Sequence, residues 1–143
     1  CKREDPDREV VVFEKCSWVS YAHCGTPYYV KGEVESLLDL TTLSPAEIEE
    51  RGIDLYRNHE VVSVDPDAKT VTVEVDGERI QQPYGDLLIA TGAHAVTDPI
   101  HGADLPGVFT MHGLDSAAAL RAFLTPAAAE SDPDAVDGDF VDR

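Results

Sequence analysis

Residues 9–14, Glu9-Val10-Val11-Val12-Phe13-Glu14, constrain the fold more than any other stretch. The centre of this run has no polar alternation, so it reads as a strand covered on both faces, the pattern of a parallel sheet. A second run, Asp86-Leu87-Leu88-Ile89-Ala90-Thr91-Gly92-Ala93, has the same character and stops at a glycine. Between the two the pattern changes. Glu60 to Asp65, Thr70 to Val75 and Arg79 to Gln82 are short β-type runs, with Pro66-Asp67 and Asp76-Gly77 between them as turns. Ser44-Pro45-Ala46-Glu47 opens a helix, with a Ser cap, Pro in the first turn and Glu three residues after the cap. That helix should stop near Gly52. A further short helix is expected from Tyr28-Tyr29-Val30, and Leu114 to Leu124 has helical spacing with Asp115 near its start. The expected class is α/β: a parallel sheet flanked by helices, with an antiparallel meander inserted. Residues 125–143 hold almost no large apolar side chains and read as an acidic, disordered tail, which leaves 1–124 as the folded part.

Charge narrows the function. The 143 residues carry 28 acidic and 11 basic side chains, a formal charge of −17. Such a field repels phosphate backbones and anionic lipid, so neither nucleic acid nor a membrane surface is an expected partner. No apolar run is long enough to cross a bilayer and no leader pattern opens the chain, so the expected location is cytoplasmic. The acidity fits a salt-rich, halophilic cytoplasm in which ions screen self-repulsion; the alternative is an acidic soluble protein with an acidic tail. The three cysteines, Cys1, Cys16 and Cys24, are odd in number and lack CxxC or histidine partners, so they make neither a disulfide scaffold nor a zinc site. The default for each is a small buried apolar side chain.

The chemistry concentrates in Ser20-Tyr21-Ala22-His23-Cys24-Gly25-Thr26-Pro27-Tyr28-Tyr29. If the chain is helical from about Tyr28, Cys24 lies near a helix N-terminus, where backbone N–H groups and the helix dipole favour a thiolate. A thiolate attacks disulfides or is oxidised reversibly to a sulfenic acid. From the residues alone, a reactive Cys24 and a buried, inert one both stand. Glu14 closes its strand; in dinucleotide-binding folds an acidic residue at such an end accepts hydrogen bonds from a ribose, and otherwise it is a solvated carboxylate. In Ala90-Thr91-Gly92 a small residue and a glycine let the chain pass closely by a ligand. Val61 and Val62 read as core.

Ser-aromatic-x-x-Cys-Gly-x-Pro-Tyr-Tyr, following a Glu-terminated strand and itself followed by Ala90-Thr91-Gly92, resembles the coenzyme A-disulfide reductase and NADH oxidase family. This is the single-cysteine branch of the pyridine nucleotide-disulfide oxidoreductases. The resemblance implies an incomplete FAD/NAD(P)-binding Rossmann-like domain over residues 1–124. It implies FAD and NAD(P)H as cofactors, and a small disulfide, coenzyme A disulfide or polysulfide, or dioxygen as the acceptor. It makes Cys24 the sole redox sulfur, since Ser20 stands where the two-cysteine branch carries its second thiol. Glu14 and Lys15 would meet the adenosine, Val61 the adenine, and Ala90, Thr91 and Gly92 the cofactor. Arg3, Ser20 and His23 would touch the substrate. His23 departs from the family's asparagine, which leaves the coenzyme A preference open. Cys1 and Cys16 gain no role.

The GxGxxG turn that the family places ahead of this region and its second, NAD(P)H-binding domain are not found in the chain. The expectation is therefore a piece of a larger enzyme, homodimeric at full length, that binds FAD weakly or not at all by itself. The alternatives are an inactive remnant or binding module of that fold, and a small acidic thiol protein that works without flavin.

Overall fold

The computed structural model describes residues 1–97 and 99–125. They form two compact units, one of Cys1–Val19 with Leu43–Ala90, the other of Ser20–Thr42 with 91–125.

The first unit contains two sheets. Strand β1, Val11–Glu14, pairs in parallel with β2, Asp54–Arg57, in the register Val11 to Asp54 through Glu14 to Arg57. Helix α2, Pro45–Glu50, leads into β2. Its start is locally encoded: Ser44 Oγ accepts from the Glu47 N–H at 3.2 Å, while Glu47 Oε2 accepts from the Ser44 N–H at 2.8 Å. It ends before Gly52, whose φ of +72° suits only a residue without Cβ strain.

The second sheet is the expected meander. It consists of β3 (Glu60–Asp65), β4 (Thr70–Val75) and β5 (Glu78–Pro83), antiparallel in that order. Asp65 Oδ1 accepts from the N–H groups of Asp67 and Ala68 and so shapes the first turn. Asp76 and Gly77, at φ +52° and +80°, form the second as a two-residue hairpin between Val75 and Glu78. The central strand carries the burial, with Val71 and Val73 covered.

In the second unit, a 3-10 turn at His23–Gly25 runs directly into α1, Thr26–Lys31, which stops at Gly32 in the left-handed region. A 3-10 turn at Leu37–Leu40 is capped reciprocally by Ser36 and Asp39. Helix α3, Leu114–Leu124, packs on α1 and has Asp115 in its first turn and Arg121 in its last, both favourable to the helix dipole. Buried here are Thr26, Tyr29, Leu37, Leu40, Leu114, Ala117 and Ala118.

Three expectations fail. The run 86–93 is not a strand: Leu88 is 86 % exposed and Ile89 66 %. A strand exists only where another backbone completes its ladder, and among the described residues β1 and β2 pair with each other alone. For the same reason β1 is not covered on both faces, and Val12 is exposed. The cysteines also depart from the default, since all three are exposed. The tail reading falls on residues that, beyond Thr125, lie outside those described. No described helix is long and apolar enough to cross a membrane.

Candidate active site

The thiol segment is built from hydrogen bonds between its two ends. The Ala22 N–H donates to the Leu40 carbonyl at 2.7 Å, and Tyr21 forms an antiparallel bridge with Thr41. One residue further out, the Thr42 N–H and the Thr42 hydroxyl both donate to the Ser20 carbonyl at 2.6 Å. Ser20 Oγ lies 2.8 Å from Thr42 Oγ1. Ser20 itself sits at φ +49°, unfavourable for a residue with a Cβ, and these bonds hold it there.

Cys24 occupies the middle of the 3-10 turn, two residues before α1 begins, with its side chain at the surface. Its neighbours explain the motif around it. A Cβ on Gly25 would lie 2.4 Å from Leu40 Cδ2, so only glycine lets Leu40 close over the turn. The Thr26 hydroxyl is buried and donates to the His23 carbonyl at 2.8 Å, tying the turn to the helix. Tyr29 is 1 % exposed, and the Arg121 guanidinium lies 4.4 Å over its ring. Arg121 also donates to the carbonyls of Val34 and Glu35, so α3 clamps both α1 and the loop that leaves it. The His23 ring stands 6.3 Å from Tyr21 and 6.1 Å, edge-on, from His112. His112 Nε2 in turn contacts the Ala93 carbonyl. Since a carbonyl only accepts, that nitrogen carries the proton.

The first unit holds the other expected residues. Glu14 ends β1; its Oε1 accepts from the Cys16 N–H at 2.8 Å, which fixes the carboxylate at the strand's C-terminal edge. The Glu14 carbonyl accepts from the His59 N–H at 3.0 Å, and Lys15 Nζ lies 3.9 Å from Glu60. Val61 follows on β3, 38 % exposed, with the ladder shifting register just beyond it. Phe13, Tyr56 and His59 stack beneath this edge. The structure thus gathers Glu14, Lys15 and Val61 at one edge, and Ser20, His23 and Cys24 in one loop. Arg3 lies in the exposed opening turns of the first unit. The expected cofactor turn is divided: Ala90 closes the first unit, while Thr91 and Gly92 open the next segment of the second, Gly92 at φ +65°.

Sequence reasoning missed Leu40, Thr42, His112 and Arg121. Only the first had a local signal, the Ser36-Leu37-Leu38-Asp39 capping pattern that sets the turn carrying it.

Residues 3–132 match the family model described as pyridine nucleotide-disulphide oxidoreductase. The chain belongs to that family. Within the pyridine nucleotide-disulphide oxidoreductases, it is 41 % identical over 127 residues to a CoA-dependent NAD(P)H sulfur oxidoreductase of Pyrococcus abyssi; the match covers 86 % of this chain and 27 % of the relative. It is 31 % identical over 125 residues to an NADH oxidase of Methanocaldococcus jannaschii, covering 86 % of this chain and 28 % of the relative. Among solved structures, a NAD-dependent persulfide reductase from A. fulgidus superposes with a TM-score of 0.82 at 31 % identity, over 87 % of this chain and 24 % of that one. The chain therefore spans about a quarter of the length of the curated relatives it matches.

Proposed function

We propose that this chain supplies the redox sulfur and adenosine-side contacts of an FAD-dependent NAD(P)H oxidoreductase that reduces a disulfide or persulfide through Cys24. The observation that carries the reading is the exposed Cys24 at the turn into α1, beside a glycine that Leu40 leaves no room to replace. A thiol buried for packing would not need that geometry. The names of the Pyrococcus abyssi and A. fulgidus relatives favour a sulfur acceptor. The NADH oxidase of Methanocaldococcus jannaschii supports dioxygen as a second one.

The residues present fit the adenosine end of a flavin dinucleotide. Glu14 offers an oriented carboxylate at the C-terminal edge of a parallel strand, the position from which ribose hydroxyls are bound in such folds. Lys15 and the backbone of Val61 flank it. When bound, FAD supplies the hydride chemistry, accepting from NAD(P)H and delivering an electron pair to sulfur. The chain's own step is thiol exchange. The Cys24 thiolate attacks one sulfur of the acceptor, the S–S bond breaks, and the departing thiolate takes a proton from water. Ser20 and His23 share the loop with Cys24, and the His23 ring lies near those of Tyr21 and His112.

The test is Cys24→Ser in the full-length holoprotein. Disulfide-dependent NAD(P)H consumption should fall about a hundredfold or more while bound flavin, read by its absorbance, stays constant. Full turnover in that variant would overturn the proposal, whereas a wild-type holoprotein with no disulfide-dependent turnover would favour a remnant or binding module. Glu14→Ala should weaken FAD binding about tenfold in a fluorescence titration, the cost of losing hydrogen bonds to a charged group.

A further inference from the structure

We infer that Thr42 determines substrate specificity, because it captures the proton of the Ser20 hydroxyl and leaves Ser20 able to accept a hydrogen bond but not to donate one. The inference rests on the reading of Cys24 as the sulfur that meets the substrate, and it adds the polarity of a hydroxyl carried by the same loop, four residues ahead of that sulfur.

The argument is a count of protons. Thr42 Oγ1 donates to the Ser20 carbonyl at 2.6 Å, and a carbonyl can only accept. The one hydrogen of the Thr42 hydroxyl is therefore spent. Ser20 Oγ lies 2.8 Å from the same Thr42 Oγ1, so in that contact Ser20 must be the donor. Its own hydrogen is spent as well, and what Ser20 Oγ turns outward is lone pairs. The register is held by a third bond, from the Thr42 N–H to the same Ser20 carbonyl.

An acceptor in the loop that presents the sulfur selects by chemical class among substrates whose arm reaches it. A disulfide whose arm carries an amide N–H or a hydroxyl gains a hydrogen bond there. A disulfide whose arm carries a carboxylate meets a lone pair and gains none. The protein's net negative charge disfavours the second class too, but it does not depend on residue 42, so a substitution there isolates the local effect.

The experiment uses the full-length holoprotein, with diacetylcystamine as the amide disulfide and dithiodipropionate as the carboxylate disulfide. The rate of adduct formation at Cys24 is read by mass spectrometry of the Cys24 peptide. In each reaction the Cys24 thiolate displaces one half of the probe as a thiolate, which takes a proton from water. Thr42→Val deletes Oγ1 but keeps the backbone bond, freeing the Ser20 proton to face outward. The amide-to-carboxylate rate ratio should fall about tenfold in Thr42→Val and persist in Thr42→Ser. An unchanged ratio in Thr42→Val overturns the role of Thr42, and so does an equal fall in both variants, since packing would then be the cause. If wild-type Cys24 forms no adduct with either probe, it is the functional reading that fails, and the two failures are told apart.

Discussion

Gly25 shows how one missing Cβ positions a sulfur. Its φ is −80°, open to any residue, so its conformation does not demand glycine. The constraint is Leu40, whose Cδ2 occupies the place a Cβ would take. Gly25→Ala should cost about 1–3 kcal/mol by overpacking, read as a lower urea midpoint, and should change the labelling rate of Cys24 because the turn that carries it must shift. Adding Leu40→Val should recover part of the loss, a non-additivity expected only of residues in contact. Gly77 is the contrast. Nothing lies within 4 Å of its Cβ position, but its φ is +80°. Gly77→Ala should cost about 1 kcal/mol through backbone conformation alone and leave Cys24 reactivity as it was. The sequence could announce that Gly25 follows a cysteine; it could not announce the leucine above it.

At the scale of elements, what was legible was what is local. The Ser44 cap and its Glu47 partner, the Asp76-Gly77 hairpin and the spacing of Leu114 to Leu124 each encode an element within a few residues, and each element formed. Strand β2 was missed, although Ile53 to Arg57 alternates in burial, and 86–93 was taken for a strand it does not form. Both errors concern pairing, which a partner distant in sequence decides. The candidate site divides in the same way. The proposals for Cys24 and Glu14 rest on local motifs, whereas Thr42 and Arg121 act on residues far along the chain, and periodicity carries no sign of them. The α2 cap also carries a pH dependence. The backbone hydrogen bond from Ser44, and then the Ser44 side chain, hold the Glu47 carboxyl below its ordinary value of 4.5. A carboxyl lowered in the folded state adds stability that is fully present above that ordinary value and is lost as pH falls through the folded one. The difference in Tm between wild type and Glu47→Gln, which keeps an acceptor but removes the charge, should therefore be largest near neutrality and shrink on acidification below about pH 4.5. A difference that is flat down to pH 3 on calorimetry would mean the cap does not depend on the charge.

Across the whole molecule, the excess of acid outweighs any single charge pair. The described ion pairs, Arg8 with Asp5 and Asp86, Lys15 with Glu60, Lys31 with Glu33 and Arg79 with Glu74, are all solvent-exposed and so contribute little. Most carboxylates are left to repel one another. Raising KCl from about 0.1 M to about 1 M shortens the screening length from roughly 10 Å to roughly 3 Å, and Tm should rise over that interval. A Tm that falls or stays level would count against adaptation to a salt-rich cytoplasm. The contact of Ser20 with Thr42 has one more implication. The backbone sets out on its sulfur-bearing excursion at one of these residues and comes home at the other, and the two stand side by side. Insertions or deletions between them leave that doorway where it is. Evolution can thus resize or re-equip the excursion without re-threading the strands that precede and follow it.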